Sequence, residues 1–226
     1  MSYADKTLSR LNESLKEKDK YQINLLDKQF VIYPNVFSPK YFNDTEFFVD
    51  NLKVKKGEDF LEIGCGTGII SIFASFKGAS KVVAIDISPI AVENTRENIL
   101  LHKLSKKMSV LLGEVYSPLE ENQIFDTIFW NVPFLYENKS KISLLESSVF
   151  DPGYNMIEKF ISGAHRHLKQ NGRLLIGFST TMGNYNKLKE LLDKYGFSLK
   201  LLKKETINYD YPIDSVNLEL FEAKPL

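Results

Sequence analysis

Apolar residues change their spacing near Gly57, and the change separates two kinds of local structure. Upstream, Leu8, Leu11 and Leu15 recur three or four apart within a charged stretch, which predicts a short amphipathic helix. Residues 30–37, FVIYPNVF, are rich in β-formers and predict a strand or extended arm. Phe42, Phe47, Phe48 and Leu52 return to helical spacing over residues 41–52, with Asn43 or Asp44 as N-cap and Lys56-Gly57 as the stop. Beyond Gly57, short apolar runs alternate with helical patterns. Strands are predicted at 60–63, 81–87, 109–112, 125–130 and 173–179. Helices are predicted at 68–76, from the Ser88-Pro89 start to about His102, at 155–168 with its end at Asn171-Gly172, and at 185–195 before Gly196. Two last runs, 197–202 and 216–223, have no helix between them and suit antiparallel pairing. Alternating strand and helix predicts an α/β fold, a mostly parallel sheet with helices on both faces.

Composition narrows the field only modestly. A chain of 226 residues with 43% hydrophobic and 26% charged positions fits one well-buried domain with a short appendage. The formal net charge is zero, and Arg10, Arg96, Arg166 and Arg173 are the only arginines, which disfavours wide phosphate contacts and leaves a nucleic-acid partner open but not favoured. Cys65 stands alone, so an intramolecular disulfide and a cysteine-rich zinc site are excluded. His165 and His167, two apart on a helix, point to different faces, and no metal site is expected. The polar N-terminus does not read as a signal peptide, and no apolar run approaches the ~20 residues that cross a bilayer. A cytoplasmic protein without a membrane partner is the expectation.

The most informative segment is Glu62-Ile63-Gly64-Cys65-Gly66-Thr67-Gly68, between the first strand past Gly57 and its helix. Glycines there let the backbone turn sharply and approach a ligand at the carboxyl end of the sheet. Asp86 ends the next strand, where an acid suits the two hydroxyls of a ribose. The dinucleotide fingerprint Gly-x-Gly-x-x-Gly places a pyrophosphate on a helix N-terminus. Here the spacing is Gly64-x-Gly66-x-Gly68, with Glu62 just before it. A carboxylate in that place repels a pyrophosphate and attracts an ammonium.

Residues 61–98, LEIGCGTGIISIFASFKGASKVVAIDISPIAVENTREN, closely resemble motifs I and II of class I methyltransferases that use S-adenosylmethionine. The resemblance implies a Rossmann-like fold, with a mostly parallel seven-stranded sheet and an antiparallel C-terminal strand. It implies that S-adenosylmethionine is the cofactor and S-adenosylhomocysteine its product. Glu62, Gly64, Cys65 and Gly66 would line its methionine end, Asp86 would bind the ribose, and Glu114 and Val115 would flank the adenine, with Gly68, Ile87 and Asn131 also in the cofactor-binding set. Asn131-Val132-Pro133-Phe134, directly after a predicted strand, resembles the Asn-Pro-Pro-Tyr/Phe signature of methyltransferases acting on planar nitrogens. The Asn131 side-chain oxygen and the Val132 carbonyl would hold the hydrogens of such a nitrogen, Pro133 would stiffen the loop, and Phe134 would stack on the planar group. Val132 replaces the first proline, as an aliphatic residue does in the adenine dimethylases of ribosomal RNA. Upstream, Pro39 and Asp44-Thr45-Glu46 are similar to the segment preceding motif I in release-factor glutamine methyltransferases and small-domain ribosomal RNA guanine methyltransferases, which adds Thr45 to the cofactor set. The resemblance spans residues 30–224; only about thirty residues stand where those families carry a substrate domain. Residues 1–30 are therefore expected to be a short helical extension and 31–226 the cofactor-binding domain.

The resulting expectation is an N-methyltransferase acting on an amide or exocyclic amine of a protein side chain or small molecule. The alternatives are an RNA base as acceptor, or a cofactor-binding module without turnover; the latter has no use for Asn131. S-adenosylhomocysteine should raise the melting temperature while NAD leaves it unchanged, as a thermal-shift titration will show. Tight NAD binding without response to either adenosyl compound would end the methyltransferase reading.

Overall fold

A computed structural model describes residues 2–136, 141–208 and 215–226. Helix α1 (Tyr3–Ser14) opens on a capping box: Ser2 Oγ accepts from the Asp5 N–H, and the Ser2 N–H donates to Asp5. Strands β1 (Tyr21–Leu25) and β2 (Lys28–Ile32) form an antiparallel hairpin. Helix α2 (Asp44–Asn51) then leads into β3 (Asp59–Ile63), α3 (Ile69–Phe76), β4 (Lys81–Asp86), α4 (Pro89–Leu101) and β5 (Met108–Leu112). The chain continues through β6 (Phe125–Asn131), α5 (Asn155–His167), β7 (Leu168–Phe178), α6 (Tyr185–Lys194), β8 (Phe197–Asn208) and β9 (Ser215–Pro225).

Seven strands form one sheet in the order β5-β4-β3-β6-β7-β9-β8. Pairs from β5 through β7 are parallel, and β9 runs antiparallel to both β7 and β8. The inner strands are near-continuous apolar runs because both sheet faces are covered. Phe60, Phe129 and Leu175 turn to one face, against Phe48 of α2, Ile72 of α3 and Ile99 of α4. Their neighbours Leu61, Ile128 and Leu174 turn to the other, against Phe160 of α5 and Leu188 of α6. Strand order reverses between β3 and β6, which leaves a crevice at the carboxyl ends of those strands.

Three local expectations are corrected. The arm at 30–37 is half of a hairpin: β1 is missing from the sequence reading because its turn, Leu26-Asp27, adopts positive φ (47° and 58°) without glycine or asparagine. Helix α5 stops at His167, and β7 begins at once with an irregular register opposite β6. Lys169 holds that irregularity by donating to Asp59 (2.7 Å) and Asp126 (2.8 Å), and Asn171 turns it with φ 65°. The last two strands run longer than their apolar cores, since β8 is a largely exposed edge strand.

The N-terminal hairpin docks on α4 through two buried asparagines one turn apart. Asn98 accepts from the Val31 N–H (2.8 Å) and donates to the carbonyls of Val31 and Thr67 (both 2.9 Å). Asn94 accepts from the Tyr33 N–H (2.9 Å) and also donates to Val31 (2.7 Å). Substituting Asn98→Leu strands these backbone groups in the interior, and should lower unfolding free energy by about 2–5 kcal/mol in a denaturant titration. An unchanged midpoint would mean that the hairpin is held by apolar packing alone.

Candidate active site

A cavity of about 420 Å³ opens where β3, β4 and β6 end. Its floor is the glycine loop. Gly64 has φ 62°, and a Cβ there would lie 2.6 Å from the Trp130 indole nitrogen, so no other residue fits. Gly66 has φ 54°, and a Cβ would meet nothing, because that side faces the open cleft. The loop is fixed from behind: Cys65 N–H donates to the Ile85 carbonyl (3.0 Å), and Thr95 Oγ1 donates to the Gly66 carbonyl (3.0 Å). Burial, aided by the charges of Asp86 and Glu62, holds the Cys65 thiol well above its ordinary pKa, so Cys65 packs and does not react.

Among the described residues, the charged side chains that line the cleft are all acidic. Glu62, Asp86 and Asp151 line it, and no Lys, Arg or His does among the described residues. Such a lining suits a cationic ligand and opposes a pyrophosphate. Asp86 Oδ2 accepts from the Gly66 N–H and Oδ1 from the Ser88 N–H (both 2.8 Å), so the same carboxylate shapes the loop and faces the cleft. Burial raises its pKa, and the N–H groups of Ser88 and Gly66 hold it back. Glu62 has a second task. Its Oε2 accepts from the backbone N–H of Ser71 (2.9 Å) and from the Ser71 hydroxyl, capping the first turn of α3, whose N-cap Gly68 has no side chain to do so. Burial pushes the Glu62 carboxyl up to about 8, with Ser71 opposing and the charge of Asp86 adding to the rise.

At the end of β6, Asn131 reaches the cleft, and its Nδ2 donates to Asp44 Oδ2 (2.7 Å) on α2. Asp44 is buried, and desolvation raises its carboxyl to about 6 against the pull of the Asn131 hydrogen bond. Past Asn131, the Val132 N–H donates to the Gly177 carbonyl (3.2 Å), and the Tyr154 hydroxyl donates to the Phe134 carbonyl (2.6 Å). Pro133 borders the cleft. Phe134 instead packs edge-on against Phe178, with ring centroids 6.1 Å apart.

The Methyltransferase small domain family model matches residues 27–200 of this chain. The chain belongs to this family. It is an S-adenosylmethionine-dependent methyltransferase. It is 35% identical over 179 residues, 75% of its own length and 87% of the relative's, to a Methanocaldococcus jannaschii protein with the provisional name protein N5-glutamine methyltransferase. It is 33% identical over 153 residues to the release factor glutamine methyltransferase of Aquifex aeolicus, covering 63% of this chain but only 53% of that one. Among solved structures, the M. jannaschii tRNA m1G37 methyltransferase superposes with a TM-score of 0.63 over 93% of this chain and 58% of its own, at 20% identity, a likeness of fold alone. S-adenosylmethionine is the methyl donor, and a cavity of 420 Å³ is within the ordinary range for a ligand of that size.

The methyltransferase brings Thr45, Glu62, Gly64, Cys65, Gly66 and Asp86 to one cleft, together with Ile87, Asn131 and Pro133. Gly68 lies behind the loop with φ 76°, its Cβ position blocked by Thr95. Glu114 points away from the cleft to Lys159 (2.5 Å), Val115 is buried in the α5-side core, and Val132 and Phe134 line a smaller neighbouring cavity. Sequence reasoning missed Trp130, which backs Gly64, and the cleft wall at 142–148. It also missed the pairing of Asp44 with Asn131, although the Asp-Thr-Glu motif had already drawn attention to that acid.

The raised Glu62 pKa sets a pH dependence. Its contribution is fully present below the ordinary glutamate value of 4.5 and is lost as pH rises through about 8. The ligand-free enzyme should therefore lose stability across that window, and Glu62→Gln, which still accepts from Ser71, should flatten the loss. Parallel pH-stability slopes for the two proteins in urea titrations would assign the dependence elsewhere.

Proposed function

We propose that this enzyme methylates a planar nitrogen, the terminal amide of a protein side chain. The observation that carries the reading is Asn131, held by Asp44 at the mouth of a cleft that Glu62, Asp86 and Asp151 line. An ionised Asp44 carboxylate only accepts hydrogen bonds, so it takes the Asn131 NH2 and leaves Oδ1 as the free acceptor. An amide nitrogen is a poor nucleophile because its lone pair is delocalised. An oxygen that holds one of its hydrogens orients that lone pair, so the rate gain is one of positioning and preorganised electrostatics. S-adenosylmethionine supplies a sulfonium methyl: the N–C bond forms as the C–S bond breaks, S-adenosylhomocysteine leaves, and the nitrogen sheds one proton to solvent.

Within the cleft, Asp86 takes the ribose hydroxyls, and Glu62 with Gly64, Cys65 and Gly66 surrounds the methionine ammonium. Ile87, 43% exposed, offers an apolar face to the purine. Glu114 reaches the adenine amine only after leaving Lys159, so its part is minor. Two relatives whose names specify glutamine support a protein amide over a small molecule. Residues 31–226 form the cofactor-binding unit in this reading, with 1–30 as an extension.

The test is incubation with methyl-labelled cofactor and fractionated cell extract, followed by mass spectrometry. Label in a protein side-chain amide is expected, and label confined to RNA or metabolites would overturn the acceptor class. With the acceptor in hand, Asn131→Ala should cut single-turnover rate by about 100-fold or more while S-adenosylhomocysteine affinity changes little. Turnover at the wild-type rate would reduce the loop to a turn.

A further inference from the structure

The strands that end in the cleft begin at the opposite rim of the sheet, and that rim is basic. Three loops meet there: 52–58 between α2 and β3, 77–80 between α3 and β4, and 102–107 between α4 and β5. Backbone hydrogen bonds tie them to one another. The Gly57 N–H donates to the Gly78 carbonyl (2.9 Å), the Ser80 N–H to the Glu58 carbonyl (2.8 Å), and the Val82 N–H to the Lys107 carbonyl (2.8 Å). A Cβ on Gly78 would lie 3.3 Å from the Lys56 Cα, so the first two loops touch.

Lys53, Lys55 and Lys56 stand on the first loop, Lys77 on the second, and Lys103 and Lys106 on the third, all six exposed. Among the described residues, none of them pairs with an acid. The acid within these loops, Glu58, is buried and accepts from the Lys55 N–H and the Thr127 hydroxyl. Asp59 and Asp126 close by are taken by Lys169 (2.7 and 2.8 Å). Exposed acids at this end, Asp50 on α2 and Glu120 and Glu121 before β6, are fewer than the lysines. Helix C-termini attract cations, but each carries about half a negative charge, so the ends of α2, α3 and α4 balance only about one and a half of the six. The zero net charge of the chain therefore conceals a division, with a basic rim at one end of the strands and an acidic cleft at the other.

The geometry points to a docking site for the phosphodiester backbone of a nucleic acid on this rim, held by lysine–phosphate contacts that read no sequence. Lysine is a point charge that meets a phosphate without demanding a fixed geometry, whereas the centres of protein interfaces are poor in lysine. Phe76 closes α3 beside the rim, 42% exposed, with Lys28 Nζ 5.3 Å from its ring centroid. An aromatic ring among cations is the combination that holds unpaired strands. The five residues of β3 separate rim from cleft by about 17 Å, at ~3.3 Å per residue. A strand docked on the rim is therefore an anchor and not the methyl acceptor, and the site does not depend on the reading of Asn131.

The experiment uses the full chain with S-adenosylhomocysteine bound, titrated into fluorescein-labelled single strands of about 20 nucleotides, one RNA and one DNA of the same sequence. Fluorescence anisotropy should show saturable binding at about 50 mM salt that weakens about 100-fold by about 200 mM, the slope for roughly five phosphate contacts on a single strand. Equal affinity for the two strands would assign the backbone alone, and a preference would name the source. Lys55→Glu, Lys56→Glu and Lys77→Glu combined should weaken binding about ten-fold or more. Lys189→Glu, Lys200→Glu and Lys203→Glu combined change the net charge equally, on α6 and the far edge strand β8, and should weaken it less than about three-fold. Both variants should keep the wild-type melting temperature and S-adenosylhomocysteine affinity. Should the rim variant fail to fold, the same two sets of lysines changed to glutamine carry the comparison. Absence of saturable binding, equal losses in the two variants, or tighter binding of polyglutamate or of phosphatidylserine vesicles than of either strand would each overturn the inference.

Discussion

Two amides on one face of α4 carry the connection on which the site depends. The N-terminal hairpin joins no strand of the main sheet, so its backbone must be satisfied by side chains or by water. Asn94 and Asn98 do this for Val31 and Tyr33, imitating the donor and acceptor pattern of a neighbouring strand. Asn98 also grips the Thr67 carbonyl, and Thr95 beside it grips Gly66, so one helical turn ties the hairpin to the glycine loop. The segment that follows β2, Asn35 to Phe37, is thereby placed as a wall of the cleft. The glycine loop is thus a shared joint between the sheet, α4 and the N-terminal segment.

Electrostatics complete what geometry begins. Glu62, Asp86 and Asp44 are buried with hydrogen-bond donors close by, and desolvation still raises all three pKa values. Acids are costly to concentrate in a dry cleft unless a cation comes to them. A ligand carrying a sulfonium and an ammonium relieves that cost, whereas a dinucleotide adds to it. The same carboxylates serve the fold: Asp86 ties down the Gly66 N–H and Glu62 caps α3, so cofactor site and loop scaffold are not separable by mutation.

What could be read from sequence followed physical rules that act locally. Strands β3, β4 and β6 are apolar because both faces are covered, and the Ser88-Pro89 start of α4 is visible in two letters. The glycine loop, Asp86 and Asn131 were placed correctly at strand ends because strand-to-helix turns are short. The rest depended on tertiary partners. Strand β1 lies behind a turn without glycine, and the β7 irregularity is held by Lys169 reaching acids more than forty residues away. The bond between Asp44 and Asn131 joins residues that no periodicity relates. Glu114 sits in the expected place along the chain, yet its side chain answers to Lys159 on α5.

The insertion of β9 between β7 and β8 makes it the strand that completes this side of the sheet. Among the described strands β8 pairs with β9 alone, so it has no neighbour in the sheet until β9 is in place. Until β9 arrives, β7 is an open edge with fully buried residues such as Leu174, Leu175 and Ile176 on its two faces. An unpaired apolar edge is a template for association with other chains. A sheet formed from β3 to β7 without β9 therefore cannot close on that side. Pairing of β9 is what covers the β7 edge and gives β8 its place in the sheet.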